Sequence, residues 1–228
     1  MILAAGLGTR MRPLTDHIPK PLLKVGGKPL IQYPIERLRA AGVTDILVNL
    51  AYRGDQIRKF LGDGRGLGVA ISYSDEPFPL ETGGAIAAAL DWLGDSPFIL
   101  VNSDVWSDYP FQQLLDMPPS PACDGCLVMV PNPDFNGAGD FSLSSVREGL
   151  ASPLSVDGDG VRLTYSGISL LRPALVAEYP ARRQKFPLAE VFKHAMAAGR
   201  LQGVCYRGQW RDIGTPERLR ELDRQLSH

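Results

Sequence analysis

No apolar run in the 228 residues approaches the ~20 consecutive residues of a membrane-spanning helix. Basic residues are not in excess either: 24 Lys and Arg stand against 25 Asp and Glu, for a net charge of -1. Nucleic-acid grooves and surfaces for anionic lipid usually show as basic excess, so neither partner is supported. Cysteine is scarce and odd in number, three in all. With no secretory signal, that points to a reducing, cytoplasmic setting rather than a disulfide framework. Histidine also numbers three, and His17, His194 and His228 are too scattered to complete a zinc site with Cys123-Asp-Gly-Cys126. A buried structural thiol at the start of a strand is the reading for Cys126. Internal repeats and low-complexity tracts are missing as well, which leaves an ordinary globular chain with 44% hydrophobic and 21% charged residues.

What is present begins at the first residue. Met1-Ile-Leu-Ala-Ala-Gly-Leu-Gly-Thr-Arg-Met-Arg-Pro-Leu-Thr15 is a short apolar run that feeds a glycine turn, and Ile18-Pro-Lys-Pro-Leu22 follows. Gly6 and Gly8 lack Cβ, so positive φ and close approach to a ligand are open to them, with N–H groups free for an anion. Two familiar glycine motifs are excluded. Met11 stands where a dinucleotide fingerprint needs its third glycine, and no Gly-Lys-Ser/Thr is present for a Walker loop. Arg10 and Lys20 supply cations close by, and the two prolines flanking Lys20 stiffen its backbone. The run Met1–Ala5 is short for a central strand, so the N-terminus is expected to be missing a few residues or the strand to be clipped.

Farther along, apolar residues at helical spacing predict a helix over 29–41, stopped by Gly42, and Thr44–Asn49 reads as a strand. A helix over 54–61, a strand over 69–73 and a helix over 85–93 continue the alternation. The N–H groups of Thr82-Gly83-Gly84, at that last helix's start, are expected to be free for a polar or anionic group. Phe98–Val101 is the continuous apolar run of a strand covered on both faces, and it ends in Asn102-Ser-Asp104. An acid just beyond such a strand lies at the sheet edge where α/β proteins bind ligands. Strands at 127–130 and 162–171 enclose a Pro-, Asn-, Gly- and Ser-rich stretch, 131–154, long enough for a binding lobe. Gly167 interrupts the second of these strands where a backbone passes close to a ligand. A helix is expected over 188–198, and Thr215-Pro216-Glu217 carries helix-start chemistry. Asp104 and Asp212 then form a pair suited to a hard cation such as Mg2+, which takes one or two protein carboxylates plus phosphate oxygens.

These residues carry a resemblance. Leu3-Ala-Ala-Gly-Leu-Gly-Thr-Arg-Met-Arg-Pro-Leu-Thr15 with Pro19-Lys-Pro21, Val101-Asn-Ser-Asp104 and Trp210-Arg-Asp-Ile-Gly-Thr-Pro-Glu217 resemble the sugar-1-phosphate nucleotidyltransferases over essentially the whole chain. The resemblance implies an α/β fold with a Rossmann-like mixed, mostly parallel sheet flanked by helices, the nucleotide-diphospho-sugar transferase fold. It implies one domain over 1–228 with a sugar-binding lobe at 131–185. A monomer is expected. The implied reaction joins a nucleoside triphosphate to a sugar 1-phosphate, with Mg2+, releasing pyrophosphate. Arg10 would serve the β- and γ-phosphates, Lys20 the phosphates around the reacting phosphorus, and Asp104 with Asp212 the metal. Ala4, Ala5, Gly6, Gly8 and Thr9 would hold base and triphosphate, joined by Glu81, Thr82 and Gly83. Gly139, Asp140, Glu148 and Gly167 match positions near the sugar. Pro79-Leu-Glu-Thr-Gly-Gly84, Val105-Trp106 and Tyr165-Ser-Gly-Ile168 are most similar to the branch that uses UTP and N-acetylmuramate 1-phosphate in cell-wall recycling. The branch that uses GTP and mannose 1-phosphate competes, as does a nucleotide-binding regulatory module without turnover. Many pyrimidine-specific relatives carry a glutamine where this chain has Pro79, which leaves base choice to backbone groups and Glu81.

Overall fold

The apolar run at the head of the chain becomes a strand of two residues, Ile2–Leu3. It lies between two longer strands, pairing parallel with Asp45–Leu50 on one side and with Val101 and Asn102 of Phe98–Asn102 on the other. Asp45–Leu50 pairs parallel in turn with Ala70–Asp75. After Asp45, every residue of Asp45–Leu50 is buried, as a strand covered on both faces requires. The helix Gln32–Ala40 buries Pro34, Ile35 and Leu38 and ends near Gly42, whose φ of +79° favours glycine. A second helix, Gly54–Leu61, buries Ile57 and Leu61.

The computed structural model describes residues 1–117, 122–147 and 149–227. It divides into two compact units, each discontinuous in sequence. The first takes Met1–Pro79, Val101–Phe111 and the chain from Gln209 onward; the second takes Leu80–Leu100 and Gln112–Gly208. The segment 131–185, expected as a sugar lobe, falls wholly within the second.

In the second unit Gly125–Val130, buried throughout, pairs antiparallel with Val161–Leu171 and parallel with Leu201–Cys205. Ser152–Ser155 runs antiparallel to Leu201–Cys205 and to Phe141–Leu143, which also pairs antiparallel with Val161–Leu171. The sheet is therefore mixed. Among the described residues, parallel pairing dominates the first unit and accounts for one pair in the second, so a mostly parallel arrangement does not extend to the second unit. The turn-rich stretch 131–160 contains the two short strands Phe141–Leu143 and Ser152–Ser155, which pair by doubling back rather than by helical crossovers. Leu188–Ala197 covers this sheet with Leu188, Val191, Phe192, Ala195 and Met196 buried at helical spacing. Phe192 meets Phe141 and Tyr165 edge to face at 6.4 and 5.4 Å between ring centres.

Cys126 is fully buried, and burial pushes its thiol up to about 12, with Cys123 adding to the shift. The three cysteines are unpaired, in keeping with a structural role for Cys126. No helix among the described residues is long and apolar enough to cross a membrane.

Candidate active site

The glycine turn uses its two glycines differently. Gly8 has φ +62°, and a Cβ there would lie 3.0 Å from Thr15 Cγ2 and 3.3 Å from Lys20 Cβ. Conformation and space both demand glycine at this position. Gly6 does not use the positive φ open to it; it is exposed, and a Cβ on it would meet nothing within 4 Å. Gly8 carbonyl accepts from Met11 N–H at 2.9 Å and from the Thr15 hydroxyl at 2.8 Å, closing the single turn Thr9–Met11 that carries Arg10. Ala4 N–H is not free for a ligand. It donates to Asn49 Oδ1 at 2.7 Å, and Asn49 Nδ2 donates to Glu76 Oε1 at 2.7 Å, a buried network that sets the strand end before the turn. Ala5 is buried beside it.

Lys20 opens the short turn Lys20–Leu22 behind Pro19, with only 9% of its surface exposed. Its Nζ donates to Asp104 Oδ2 at 2.6 Å. Asp104 sits between Phe98–Asn102 and a further strand, Val105–Ser107, which pairs antiparallel with Trp210–Asp212 so that Asp212 faces Val105. Ile213 N–H donates to the Asp104 carbonyl at 2.9 Å. That two-stranded ribbon is how acids 108 positions apart in the chain come together. Below them lies one apolar cluster of Met11, Leu23, Val25, Leu30, Trp106, Ile213, Leu219 and Leu222. Met11, Trp106 and Ile213 are sequence neighbours of Arg10, Val105 and Asp212, so burial of the one set orients the other.

Asp212 is the electrostatic focus. Burial first, then the Asp104 charge, push its carboxyl above the usual Asp range, while Lys20, Arg218 and Arg10 oppose the shift. Its Oδ2 lies 3.2 Å from Arg218 Nη1, but its buried Oδ1 has no hydrogen-bond partner. Gly214 faces the same point: a Cβ on it would lie 3.0 Å from Asp212 Oδ1, 3.1 Å from Arg218 Nη1 and 3.4 Å from Arg10 Nη1. A side chain would fill this cradle. An orphaned carboxylate oxygen beside a second carboxylate is a hard-donor set that fits Mg2+, which completes its shell with water and phosphate oxygens. Arg10, Lys20, Asp104 and Asp212 are thus brought together in the first unit.

Arg218 was not among the residues expected. Thr215 caps the helix Pro216–Leu226 by accepting from Arg218 N–H at 3.4 Å, which makes Arg218 the third helical residue. Helical side chains lean toward the N-terminus, so a cation there points back to Asp212. The signal lay in its sign: an arginine in a helix's first turn opposes the macrodipole and implies another anionic partner.

The remaining site residues belong to the second unit. Glu81 has φ +63°, rare for a residue with Cβ, and its carboxylate lies 3.8 Å from Lys185 Nζ. Two of the three N–H groups expected to be free after it are taken: Gly83 and Gly84 N–H both donate to Phe186 carbonyl, at 2.9 and 3.1 Å. Gly83 is a glycine because Phe186 packs on it, a Cβ there falling 2.5 Å from Phe186 Cε2. Thr82 Oγ1 accepts from Leu188 N–H at 2.8 Å and so caps Leu188–Ala197 from outside. Asp140 accepts from Asn136 Nδ2 at 3.0 Å and from Tyr165 N–H at 2.8 Å. Gly139 has φ +65°, and Gly167, at +80°, marks a shift of register between Tyr165 and Ser169. Glu148 lies outside the described residues.

The chain is similar to several known proteins. A family model described as nucleotidyl transferase matches residues 1–134. The chain is 46% identical to N-acetylmuramate alpha-1-phosphate uridylyltransferase of Neisseria meningitidis serogroup B, over 97% of this chain and 95% of that one. It is 34% identical to mannose-1-phosphate guanyltransferase of Hypocrea jecorina, over 95% of this chain but 61% of the relative. Among solved structures, HddC from Yersinia pseudotuberculosis is similar with a TM-score of 0.77 at 27% identity, covering 98% of this chain and 97% of that one.

Proposed function

The chain belongs to the nucleotidyl transferase family, and on that premise we propose that it joins UTP to N-acetylmuramate 1-phosphate, giving UDP-N-acetylmuramate and pyrophosphate. The observation that carries this reading is the gathering of Arg10, Lys20, Asp104 and Asp212, from three separate segments, around a buried carboxylate oxygen without a partner. The 46% identical relative supports the choice of substrates. In this reading the parallel sheet of the first unit is the Rossmann-like half of the fold.

A phosphate oxygen of the sugar phosphate attacks the α-phosphorus of UTP; the new P–O bond forms as the bond to pyrophosphate breaks. No general base is needed, because a phosphate monoester with second pKa ~6 is mostly dianionic at neutral pH. The protein's work is positioning and charge neutralisation. Lys20, already held by Asp104, meets the phosphates near the reacting phosphorus, and Arg10 meets the β- and γ-phosphates that leave. The open face of Gly6 lets the triphosphate approach the backbone. Asp104 and Asp212 would hold Mg2+, which supplies further positive charge at the phosphates when bound. Arg218 keeps Asp212 oriented.

Given the bonds already made at Ala4, Thr82 and Gly83, those residues act as framework around the nucleotide, and Glu81 remains the proposed base contact of the second unit. The sugar is read by 131–185, with Gly139, Asp140, Glu148 and Gly167 in that role. The setting proposed is a monomer in the cytoplasm, working in peptidoglycan recycling without a membrane or nucleic-acid partner. Pyrophosphate release measured across nucleotides and sugar 1-phosphates tests the reading. Release with UTP and N-acetylmuramate 1-phosphate supports it, release with GTP and mannose 1-phosphate transfers it to the 34% identical relative's chemistry, and nucleotide binding without release would make the chain a regulatory module.

A further inference from the structure

The segment between Arg10 and Lys20 is built of turns and leaves Leu14 and Ile18 exposed, 41% and 45%. Between Met11, buried at its start, and Pro19, buried at its end, apolar burial adds little to hold the segment. Three successive carbonyls within it are instead captured by side chains from one short stretch. Tyr52 hydroxyl donates to Thr15 O at 2.9 Å, Arg53 Nη2 to Asp16 O at 2.6 Å, and Gln56 Nε2 to His17 O at 3.0 Å. Arg53 Nε also donates to the Tyr52 hydroxyl at 3.0 Å, which orients that hydroxyl toward Thr15. The Thr15 hydroxyl carries the line on to Gly8 O at 2.8 Å. A continuous hydrogen-bonded path therefore runs from the start of Gly54–Leu61 to the glycine turn.

Arg53 holds its place on unfavourable backbone. Its φ is +51°, in the left-handed region that residues with Cβ avoid. Gly54 follows because a Cβ there would lie 2.7 Å from Leu50 Cβ, so the turn is fixed tightly by packing. Strained residues of this kind persist where the surroundings over-determine them, and they gather at functional sites. A loop carrying two phosphate-binding cations benefits from such a brace, since ordering it at the moment of binding would subtract from affinity.

We propose that Tyr52, Arg53 and Gln56 are positioning residues that pre-set residues 12–18 and so fix Arg10 relative to Lys20 for the triphosphate. The inference rests on the nucleotidyl-transfer reading above. Arg53→Gly is the sharpest variant, because glycine accepts the left-handed backbone without strain while the guanidinium is lost. Hydrogen exchange at the Leu14 and Asp16 amides, which donate to Met11 O and Pro13 O, is expected to accelerate in this variant. Its kcat/KM for UTP should fall about tenfold or more, the order expected when phosphate-binding groups lose registration, with KM for the sugar phosphate and the melting temperature unchanged. Arg53→Lys keeps the charge but not the planar fork that serves Tyr52 and Asp16 together, and is expected between the two. Wild-type exchange at both amides, or wild-type kcat/KM for UTP, in an active Arg53→Gly enzyme overturns the proposal. Absence of pyrophosphate release from the unaltered chain overturns instead the reading of function on which it rests.

Discussion

Two glycine pairs, one in each unit, are put to different use. At Gly6 the missing side chain leaves an exposed backbone, while Gly8 turns left-handed against Thr15 and Lys20, with a buried carboxylate oxygen of Asp212 elsewhere in the same unit still unpartnered. At Gly83 and Gly84 the missing side chains admit Phe186, whose carbonyl takes both N–H groups. In the first pair Gly6 leaves room for a ligand, whereas Gly8 and both members of the second pair make room for neighbours in the fold. Thr82 and Asp140, too, spend their polar atoms on internal bonds. Buried polar groups without partners are costly, and each unit keeps at least one, Ser142 Oγ in the second and Asp212 Oδ1 in the first. The first unit keeps one at the centre of its charges.

Removing those charges tests the contrast most severely. Lys20→Ala and Asp104→Asn are each expected to lower turnover by more than about a hundredfold, the scale seen when a preorganised charge at a reacting group is lost. Circular dichroism should show the fold retained. Near-normal turnover in either folded variant would break the assignment of the first unit as the catalytic one.

The glycines themselves divide next. Gly8→Ala places a Cβ on left-handed backbone against Thr15 and Lys20, and a loss of roughly 1–3 kcal/mol is expected together with reduced turnover. Gly6→Ala meets open space, so denaturant titration should find its stability near wild type while KM for UTP rises. Equal stability losses in the two variants would mean that Gly6 is also structural.

The glycine turn was legible because its chemistry is local: residues 6–20 hold glycines, an arginine and a proline-framed lysine within one short stretch. The alternation of strands and helices was legible for the same reason, each element carrying its own period. Harder to read was whatever depends on distant partners. Nothing near Gly83 in sequence announces Phe186, so its N–H group looked free, and nothing near Ala4 announces its bond to Asn49. The antiparallel pairings of the second unit were hidden likewise, because Phe141–Leu143 and Ser152–Ser155 are too short to show a pattern through a stretch rich in turn residues. Asp104 and Asp212 could be named as a pair, but the ribbon joining Val105–Ser107 to Trp210–Asp212 is a tertiary fact.

Asp212 offers a gentler test through pH. Its folded-state pKa is raised by burial and by Asp104, so between the ordinary Asp range and the raised value the folded chain binds more protons than the unfolded one. Stability therefore falls as pH rises through that window, and the penalty is complete above it. Asp212→Asn removes the ionised group. Without added divalent ions its melting temperature should exceed wild type at neutral pH and converge with it in acid, even as turnover is lost. A variant less stable than wild type at neutral pH would mean that the pair with Arg218 outweighs the burial of the charge.

Thr82 marks the other side of the contrast, where the smallest effect on chemistry is expected. Its hydroxyl oxygen satisfies Leu188 N–H at the head of Leu188–Ala197, a position whose donor has no partner inside the helix. Thr82→Val keeps the shape and removes the acceptor. Loss of a helix cap costs about 1 kcal/mol, which for a chain of this size is a fall of roughly 2–4 °C in melting temperature. Steady-state kinetics should show kcat and KM for UTP close to wild type. A rise in KM for UTP larger than this small destabilisation explains would give Thr82 back a place at the nucleotide, and the second unit would then share in phosphate or base binding through a side chain as well as through Glu81.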